Sequence, residues 1–466
     1  MSAPGIPVVV VGGGIAGLSA AHALQERGLP YLLIEGSDRL GGVIRTERKQ
    51  GFLLEGGPDS LLVQKPEGLA LLRALGLEER LQPTNPRERK LYVLHRGRLH
   101  PLPEGMMLTV PTRVLPVLKS GLFSWPGKLR MGLDLVLPAR HDAGDESIAS
   151  FVRRRFGRET LERLAEPLLA GIHAGDPERL SLRATFPRLA ALEERHGSVV
   201  RGLRASPPPP SKLPSAFVAL RGGLGELVDA LAARLPPGAI RTSSPVQSIE
   251  RSGAGFTLRM GPGAGASVEA RAVLLALPPR AAAPLVRPFS PGAGSELASI
   301  RFASTVVLVL GLRREDVAHP LDGYGLIVPR PEGLRTTALS FHSTKFEGRT
   351  PEGQVMLRVF LGGTFDGAVL ELADTELVAL ARREMGPVLG LRGEPTLTRV
   401  FRWREATPQM EVGHLQKVAR VEQALEDVPG LFVCGSGFRG TGLPDTIGDA
   451  QRAALIAAAF VSGTHA

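Results

Sequence analysis

The chain has 466 residues, 43% of them hydrophobic and 22% charged, which is the composition of a globular protein and too long for one ordinary core. Its 56 glycines and 39 prolines follow no period, and its single cysteine, Cys434, excludes an intrachain disulfide, a cysteine-built metal site and an iron–sulfur cluster. The net charge of +10 is compatible with an anionic substrate or membrane surface; nucleic acid is not expected, because no basic block interleaves with aromatics.

In chain order, Val8–Val11 is a continuous apolar run, the pattern of a strand buried on both faces. The N-terminus carries no secretory pattern, and no uncharged apolar run approaches the ~18 residues of a membrane span. Gly12-Gly13-Gly14-Ile15-Ala16-Gly17 follows the first strand, Leu18 to Arg27 reads as a helix closed by Gly28, and Tyr31–Ile34 reads as a second strand ending in Glu35. Strand, G-x-G-x-x-G, helix, strand and acid together describe a dinucleotide-binding unit. Gly12 permits the tight turn, Gly14 the approach of a pyrophosphate, and Gly17 close packing of helix on sheet. Ala16 lies at the helix N-terminus, where free N–H groups meet phosphate, and Glu35, followed by Gly36, can accept ribose hydroxyls. This unit leaves NAD and FAD open.

Ser37–Arg45 follows, with Arg39, Gly41, Gly42 and Val43, and then Gly51–Pro58, with Gly56, Gly57 and Pro58. The glycine pairs let main chain approach a flat ring; Arg39 and Arg45 can reach phosphate or remain surface residues. Residues 89–105 read as a hairpin and loop. Residues 108–138 are apolar but broken by Pro111, Pro116, Pro126 and Pro138, with Phe123, Trp125, Arg113, Lys119, Lys128 and Arg130 at the fringe. That stretch suits a monotopic membrane contact or a helical subdomain packed on itself. A run from Leu168 to Pro177 leads through Leu180-Ser181, Thr185–Leu189 and Glu193 to Gly197-Ser198. Leu220–Leu227 opens a helix to about Leu235; Pro245–Ile249 and Ala272–Pro278 read as strands, and Gly323–Pro329 and Leu357–Gly363 as apolar segments of another sheet. Near the end, Leu431–Gly435 reads as a buried strand, Gly437–Gly442 as a loop, and Pro444-Asp445 as the opening of a helix from Thr446 to about Val461. No nucleophile triad and no histidine pair at metal spacing stands out, so no metal is expected; His342 and His414 read as structural or surface residues.

Segments 37–45 and 51–58 resemble the second and third cofactor-holding segments of the amine-oxidase-like flavoproteins. The runs Gly171-Ile172-His173-Ala174-Gly175-Asp176-Pro177, Arg402–Met410 with Gly413-His414, and Gly440–Asp445 are similar to those of the oxygen-dependent protoporphyrinogen oxidase family, with its coproporphyrinogen-oxidising bacterial relatives. The resemblance spans nearly the whole chain. It implies an α/β (α+β) fold: a Rossmann-like FAD-binding lobe from residues 1–85, 216–285 and 428–466, a mixed-sheet substrate lobe from 86–105 and 286–427 with a linker part at 186–215, and an inserted helical membrane-binding lobe at 106–185. It implies FAD as cofactor, with the Val246 backbone at the adenine end, Trp403 nearby, and Gly435, Asp445, Thr446 and Ile447 at the flavin pyrimidine edge. A helix N-terminus there would stabilise negative charge on the flavin.

For the substrate, the resemblance implies a propionate anchor at Lys90 or its neighbour Arg89, and a catalytic role for Gly171, whose region would aim a backbone carbonyl at the macrocycle. Gly325, Leu326 and Leu361 would supply an apolar wall. Hydride loss requires orientation more than a strong base. His173, Met410 and Thr446 depart from the usual family residues. The expected reaction is the six-electron oxidation of protoporphyrinogen IX to protoporphyrin IX with formation of hydrogen peroxide; the apolar stretch at 108–138 tilts the reading toward this substrate. Oxidation of coproporphyrinogen III to coproporphyrin III is the alternative; an amine oxidase, a polyene desaturase and a flavin-bearing scaffold are further ones. Amine oxidases and desaturases lack the Ala-Gly-Asp-Pro run, and this chain has three tyrosines, none near its C-terminus. The implied partners are a porphyrinogen, molecular oxygen, a peripheral membrane surface, ferrochelatase as receiver of the product, and a second copy in a homodimer. The implied location is cytoplasmic, on the inner face of the cell membrane.

Overall fold

In the computed structural model, which describes residues 6–107, 109–140, 144–206, 213, 215–261 and 267–463, the chain visits one sheet three times. β1 (Ile6–Val11), α1 (Ile15–Gln25) and β2 (Tyr31–Ile34) open it, and the hairpin β3 (Thr46–Lys49) and β4 (Phe52–Glu55) follows. The chain then leaves for a second sheet with β5 (Lys90–His95) and β6 (Arg98–Pro101). A helical segment comes next, containing α2 (Val114–Lys119), α3 (Trp125–Gly132) and α4 (Glu166–His173). It returns through α5 (Gly225–Arg234), β7 (Ile240–Arg241), β8 (Val246–Ser252), β9 (Gly255–Met260) and β10 (Ser267–Leu275). The second sheet resumes with β11 (Phe302–Arg313), β12 (Gly323–Ile327), β13 (Thr336–Phe341) and β14 (Gln354–Gly362), then α6 (Asp374–Leu389) and β15 (Leu397–Pro408). β16 (Leu431–Val433) and α7 (Leu443–Ser462) close the first sheet. Leu108, the first residue of the proline-broken stretch, lies outside the described residues.

The first sheet runs β7-β2-β1-β10, with β16 parallel along the end of β10 and the antiparallel pair β9-β8 along its beginning. β1 is apolar throughout because parallel neighbours flank it and both faces are covered. Val8 and Val10 pack with α1, α5 and α7, while Val9 and Val11 pack with Leu258, Leu285 and Val418 on the other face. α1 and α7 lie in one core through Ala20, Ala21, Ala453 and Ala457, side chains small enough for close approach. Both helices begin three residues earlier than the sequence suggests, at Ile15 and Leu443. Gly17, which read as a loop residue, sits in the first turn of α1, and Pro444, which read as the opening of its helix, sits in the first turn of α7, where a missing N–H costs nothing.

The second sheet is mixed, in the order β15-β11-β14-β13-β12-β5-β6, antiparallel except at β12–β5. Strand alternation gives it two unlike faces. Tyr92, Leu326, Leu339, Val359 and Leu361 point into a closed core against Leu377 and Leu380 of α6. Val93, Ile327 and Ala338 point oppositely, toward the helical segment, and Val307, Met356 and Phe401 toward Phe52 and Leu54 of β4.

In the helical segment, the fully buried Arg155 donates to Glu193 at 3.0 Å and to the Gly197 carbonyl at 2.7 Å, and Ser198 donates to Asp134 at 2.6 Å. The Glu193 and Gly197-Ser198 part of the sequence run is thus structural. α2, α3 and the turn after them expose a band of large apolar side chains: Leu115, Trp125, Leu129 (72%) and Val136 (73%). No helix among the described residues is long and apolar enough to cross a membrane.

Candidate active site

The N-terminal loop has the geometry of a phosphate cradle. Gly12 ends β1 at φ +108°, where a Cβ would lie 2.5 Å from the Ala276 carbonyl oxygen; a Cβ on Gly17 would lie 1.7 Å from the Gly12 carbonyl oxygen. Gly14 differs, since a Cβ there would meet nothing nearer than Gly42 Cα at 4.0 Å. A Cβ on Gly42 would lie 3.3 Å from Gly14 Cα, so the two glycines pass closely at the N-terminus of α1, whose N-cap makes no side-chain hydrogen bond. The Ala16 side chain borders the same end, 3.2 Å from where a Cβ on Gly435 would stand. The room at Gly14 and the N–H groups without a side-chain cap fit the pyrophosphate of a dinucleotide.

Glu35 shapes the neighbouring turn. Its carboxylate accepts from the Gly13 N–H at 2.6 Å and from the Ser37 N–H and Oγ at 2.7 Å each. Ser244 N–H donates to the Glu35 carbonyl at 2.9 Å and Gly36 packs on Pro245, which brings the following residue, half-buried Val246, beside this acid. Arg39 does not extend freely toward a phosphate: it folds back to donate to the carbonyls of Gly42 at 2.5 Å and Leu40 at 3.2 Å, fixing the Gly41-Gly42 turn. Arg45 is likewise engaged, with Glu47 at 2.8 Å.

The third loop, Gly56 to Asp59, is fastened to the second sheet. Trp403 Nε1 donates to the Gly56 carbonyl at 2.7 Å and Arg358 Nη2 to the Gly57 carbonyl at 2.6 Å. The Phe401 ring lies under Gly56, and Gly57 packs so closely on the Val43 carbonyl that a Cβ would lie 1.9 Å from it. Pro58 then leads to Asp59. The sheet face beneath presents Arg358, Ser340 and Gly325 in one cross-strand row and Phe360, Ala338 and Ile327 in the next.

α4 stands over this face. A Cβ on Gly171 would meet only Ala338 Cβ, at an ordinary 3.5 Å. Gly171 lies in the last turn of α4, where helix geometry leaves carbonyls without intrahelical partners; Ala174, at φ +50°, closes the helix by donating to Ala170. Three ties hold this end: Gln409 Nε2 to the His173 carbonyl at 2.9 Å, Thr364 N–H to the Ala174 carbonyl at 2.9 Å, and His173 Nδ1 with Thr441 Oγ1 at 3.3 Å. Burial, with Lys65 adding to it, pushes the His173 imidazole down to about 4, so it is neutral at pH 7.

Four expectations change on the structure. Leu326 and Leu361 belong to the core on the α6 side; the opposite face, toward the helical segment, carries buried Ile327 and partly buried Phe360, one residue along each strand. Gly325 is buried on the face opposite α6, and a Cβ there would stand 2.0 Å from the Leu339 carbonyl oxygen, so its absent side chain serves strand pairing. Lys90 is bound to Asp322, which also accepts from Tyr92 at 2.7 Å, so it is not a free propionate anchor. At α7, Thr446 N–H already donates to Gly442 and Ile447 is buried against α1, so the N–H groups that helix geometry leaves without an intrahelical partner are those of Leu443 and Asp445. Asp445 also holds Lys65 at 2.5 Å through both oxygens.

Sequence reading missed the charges behind Asp59. Asp59 accepts from Arg358 at 2.8 Å and Lys345 at 2.9 Å, with His342 3.5 Å away. Burial alone would raise the Asp59 pKa; Lys345 and Arg358 hold it well below the usual range instead. Burial also drives His342 well below 6.5. Glu55, fully buried, accepts from Thr46 and Leu224 at 2.7 Å and from Arg349 at 3.3 Å. One signal was present: Arg358 is a lone cation inside the apolar run from Val355 to Leu361. Among the described residues no cluster could hold a metal ion.

The family model of the flavin containing amine oxidoreductases matches residues 15–460. Coproporphyrinogen III oxidase of Bacillus subtilis (strain 168) is 34% identical over 459 residues, 96% of either chain. Chloroplastic protoporphyrinogen oxidase of Nicotiana tabacum is 30% identical, covering 97% of this chain and 86% of its own. A crystal structure described as a putative protoporphyrinogen oxidase from Exiguobacterium sp. 255-15 superposes with a TM-score of 0.86 at 29% identity, covering 98% of this chain and 99% of that one. The chain belongs to the flavin containing amine oxidoreductases, and its mixed α/β fold is theirs. Its cofactor is FAD. Within that family it is one of the porphyrinogen-oxidising flavin enzymes.

Proposed function

We propose that this enzyme oxidises coproporphyrinogen III to coproporphyrin III. The full-length likeness to bacterial relatives that carry this substrate in their names supports the reading most. A net charge of +10 also suits a macrocycle with four propionates. Protoporphyrinogen IX, with two propionates, is the second reading, favoured by the exposed apolar band of α2 and α3, which suits an enzyme resting on the inner face of a membrane.

Bound FAD would supply the acceptor for one hydride per round while a proton also leaves the macrocycle; three rounds remove six electrons, and three dioxygen molecules take up the hydrides and protons as three molecules of hydrogen peroxide. The residues of the chain bind and orient. Backbone N–H groups of the Gly12–Gly17 loop would hold the pyrophosphate, and Trp403 and Arg358 fix the Gly56-Gly57 peptides that would meet the flavin. Gly171, having no side chain, lets the macrocycle come close, and its carbonyl oxygen faces the positive charge that develops as hydride leaves. Phe360 and Ile327 exclude water from the floor of the site.

The deciding experiment measures kcat/KM on both porphyrinogens by porphyrin fluorescence. A preference of tenfold or more for coproporphyrinogen supports the first reading. A preference for protoporphyrinogen transfers the assignment to the second, and turnover of neither overturns both.

A further inference from the structure

The charges behind the third loop do not balance. Asp59 faces two cations, Lys345 and Arg358, at 2.9 and 2.8 Å. His342 adds no charge, since burial and Arg358 keep it neutral. Glu55 and Arg349, at 3.3 Å, offset each other. One net positive charge is left in a place where Arg358 is 2% exposed and Lys345 16%. Buried charge without a counter-ion is unfavourable, so the cluster calls for an anion. Arg358 Nε, Ser340 Oγ and both ring nitrogens of His342 are buried without a hydrogen-bond partner, which again marks a site completed by another group. Arg358 ties the cluster to the cofactor loop through the Gly57 carbonyl at 2.6 Å.

We propose that the Asp59–Lys345–Arg358 cluster is the electrostatic counterpart of reduced FAD, and that its net positive charge raises the reduction potential of the bound cofactor. Two-electron reduction adds negative charge to the flavin, so a fixed cation nearby favours the reduced form over the oxidised one. The proposal rests on the reading that the flavin ring lies on the Gly56–Pro58 loop. It assigns Lys345 and Arg358 a tuning role separate from holding the loop in shape.

The test is an equilibrium reduction of the holoprotein against a reference dye, read from flavin absorbance. Lys345→Met should lower the midpoint potential by about 30 mV or more, a tenfold change for a two-electron couple. Lys345→Arg, which keeps the charge, should hold the wild-type value. Asp59→Asn removes the cluster's carboxylate and should shift the potential the other way. A purely structural role would not produce shifts of opposite sign. Potentials unmoved in Lys345→Met, or moved in the same direction in Lys345→Met and Asp59→Asn, overturn the proposal. The loop reading is checked separately. The chain has two tryptophans, so a Trp125→Phe background leaves Trp403 as the reporter. FAD in contact with the loop quenches its fluorescence; unquenched Trp403 overturns that reading whatever the potentials do.

Discussion

At the scale of single residues, the site is specified by a few hydrogen bonds and by missing side chains. Trp403→Phe removes the donor to the Gly56 carbonyl and keeps most of the ring. One hydrogen bond is worth about 1 kcal/mol, so FAD affinity should fall about fivefold, measured by recovery of flavin fluorescence on dilution. Gly171 permits a graded test. A methyl group meets only Ala338 at 3.5 Å, so Gly171→Ala should keep its FAD and its fold. Gly171→Val should keep FAD but lose at least tenfold in kcat, because its branches would occupy the face that the proposed mechanism gives to the macrocycle; normal turnover would remove Gly171 from the mechanism. His173 gives a pH signature. Its pKa is about 4 folded against 6.5 unfolded, so the unfolded chain alone is protonated between those values. Stability therefore falls as pH drops from about 6.5 to about 4, by about 3 kcal/mol for this group. In His173→Phe the denaturation midpoint should fall less between pH 7 and pH 4.5 than in the wild type; equal slopes would show that His173 does not carry the effect.

At the scale of elements, the glycine-rich loop was legible because its parts are adjacent: strand, turn, helix and acid occur within residues 8–35. Helix starts were less legible: Gly17 read as loop although α1 already begins at Ile15, and the proline signal at Pro444 left the first residue of α7 undecided. Strand faces were the least legible. Leu326 and Ile327, or Phe360 and Leu361, are chemically alike, and only the packing of α6 on one face and the helical segment on the other decides which core each joins. α2 and α3 pose the opposite problem, with apolar residues and no core over them. If the band rests on a membrane, Leu129→Glu should reduce binding to anionic vesicles at least tenfold in co-sedimentation, since a buried leucine contributes about 2 kcal/mol and a carboxylate is repelled. Turnover of porphyrinogen in detergent-free buffer should stay at the wild-type level. Vesicle binding equal to wild type would assign the band to another partner.

At the scale of the whole molecule, the site is assembled from segments far apart in the chain. Asp59 meets Lys345 across 286 positions and Arg358 across 299. What is local was readable from the residues in order: a phosphate-binding loop where glycines leave room, an acid at the end of the next strand, a helix opened by Pro444-Asp445 near the C-terminus, and family runs that narrow the chemistry to porphyrinogens. Those features follow from backbone sterics and short-range hydrogen bonding, which act between neighbours. The tertiary structure alone decided that Lys90 is taken by Asp322, that Leu326 and Leu361 face away from the site, and that two cations and one carboxylate are buried together behind Gly57. Such facts depend on which side of a sheet is covered and which distant charges meet, and no local pattern carries that information.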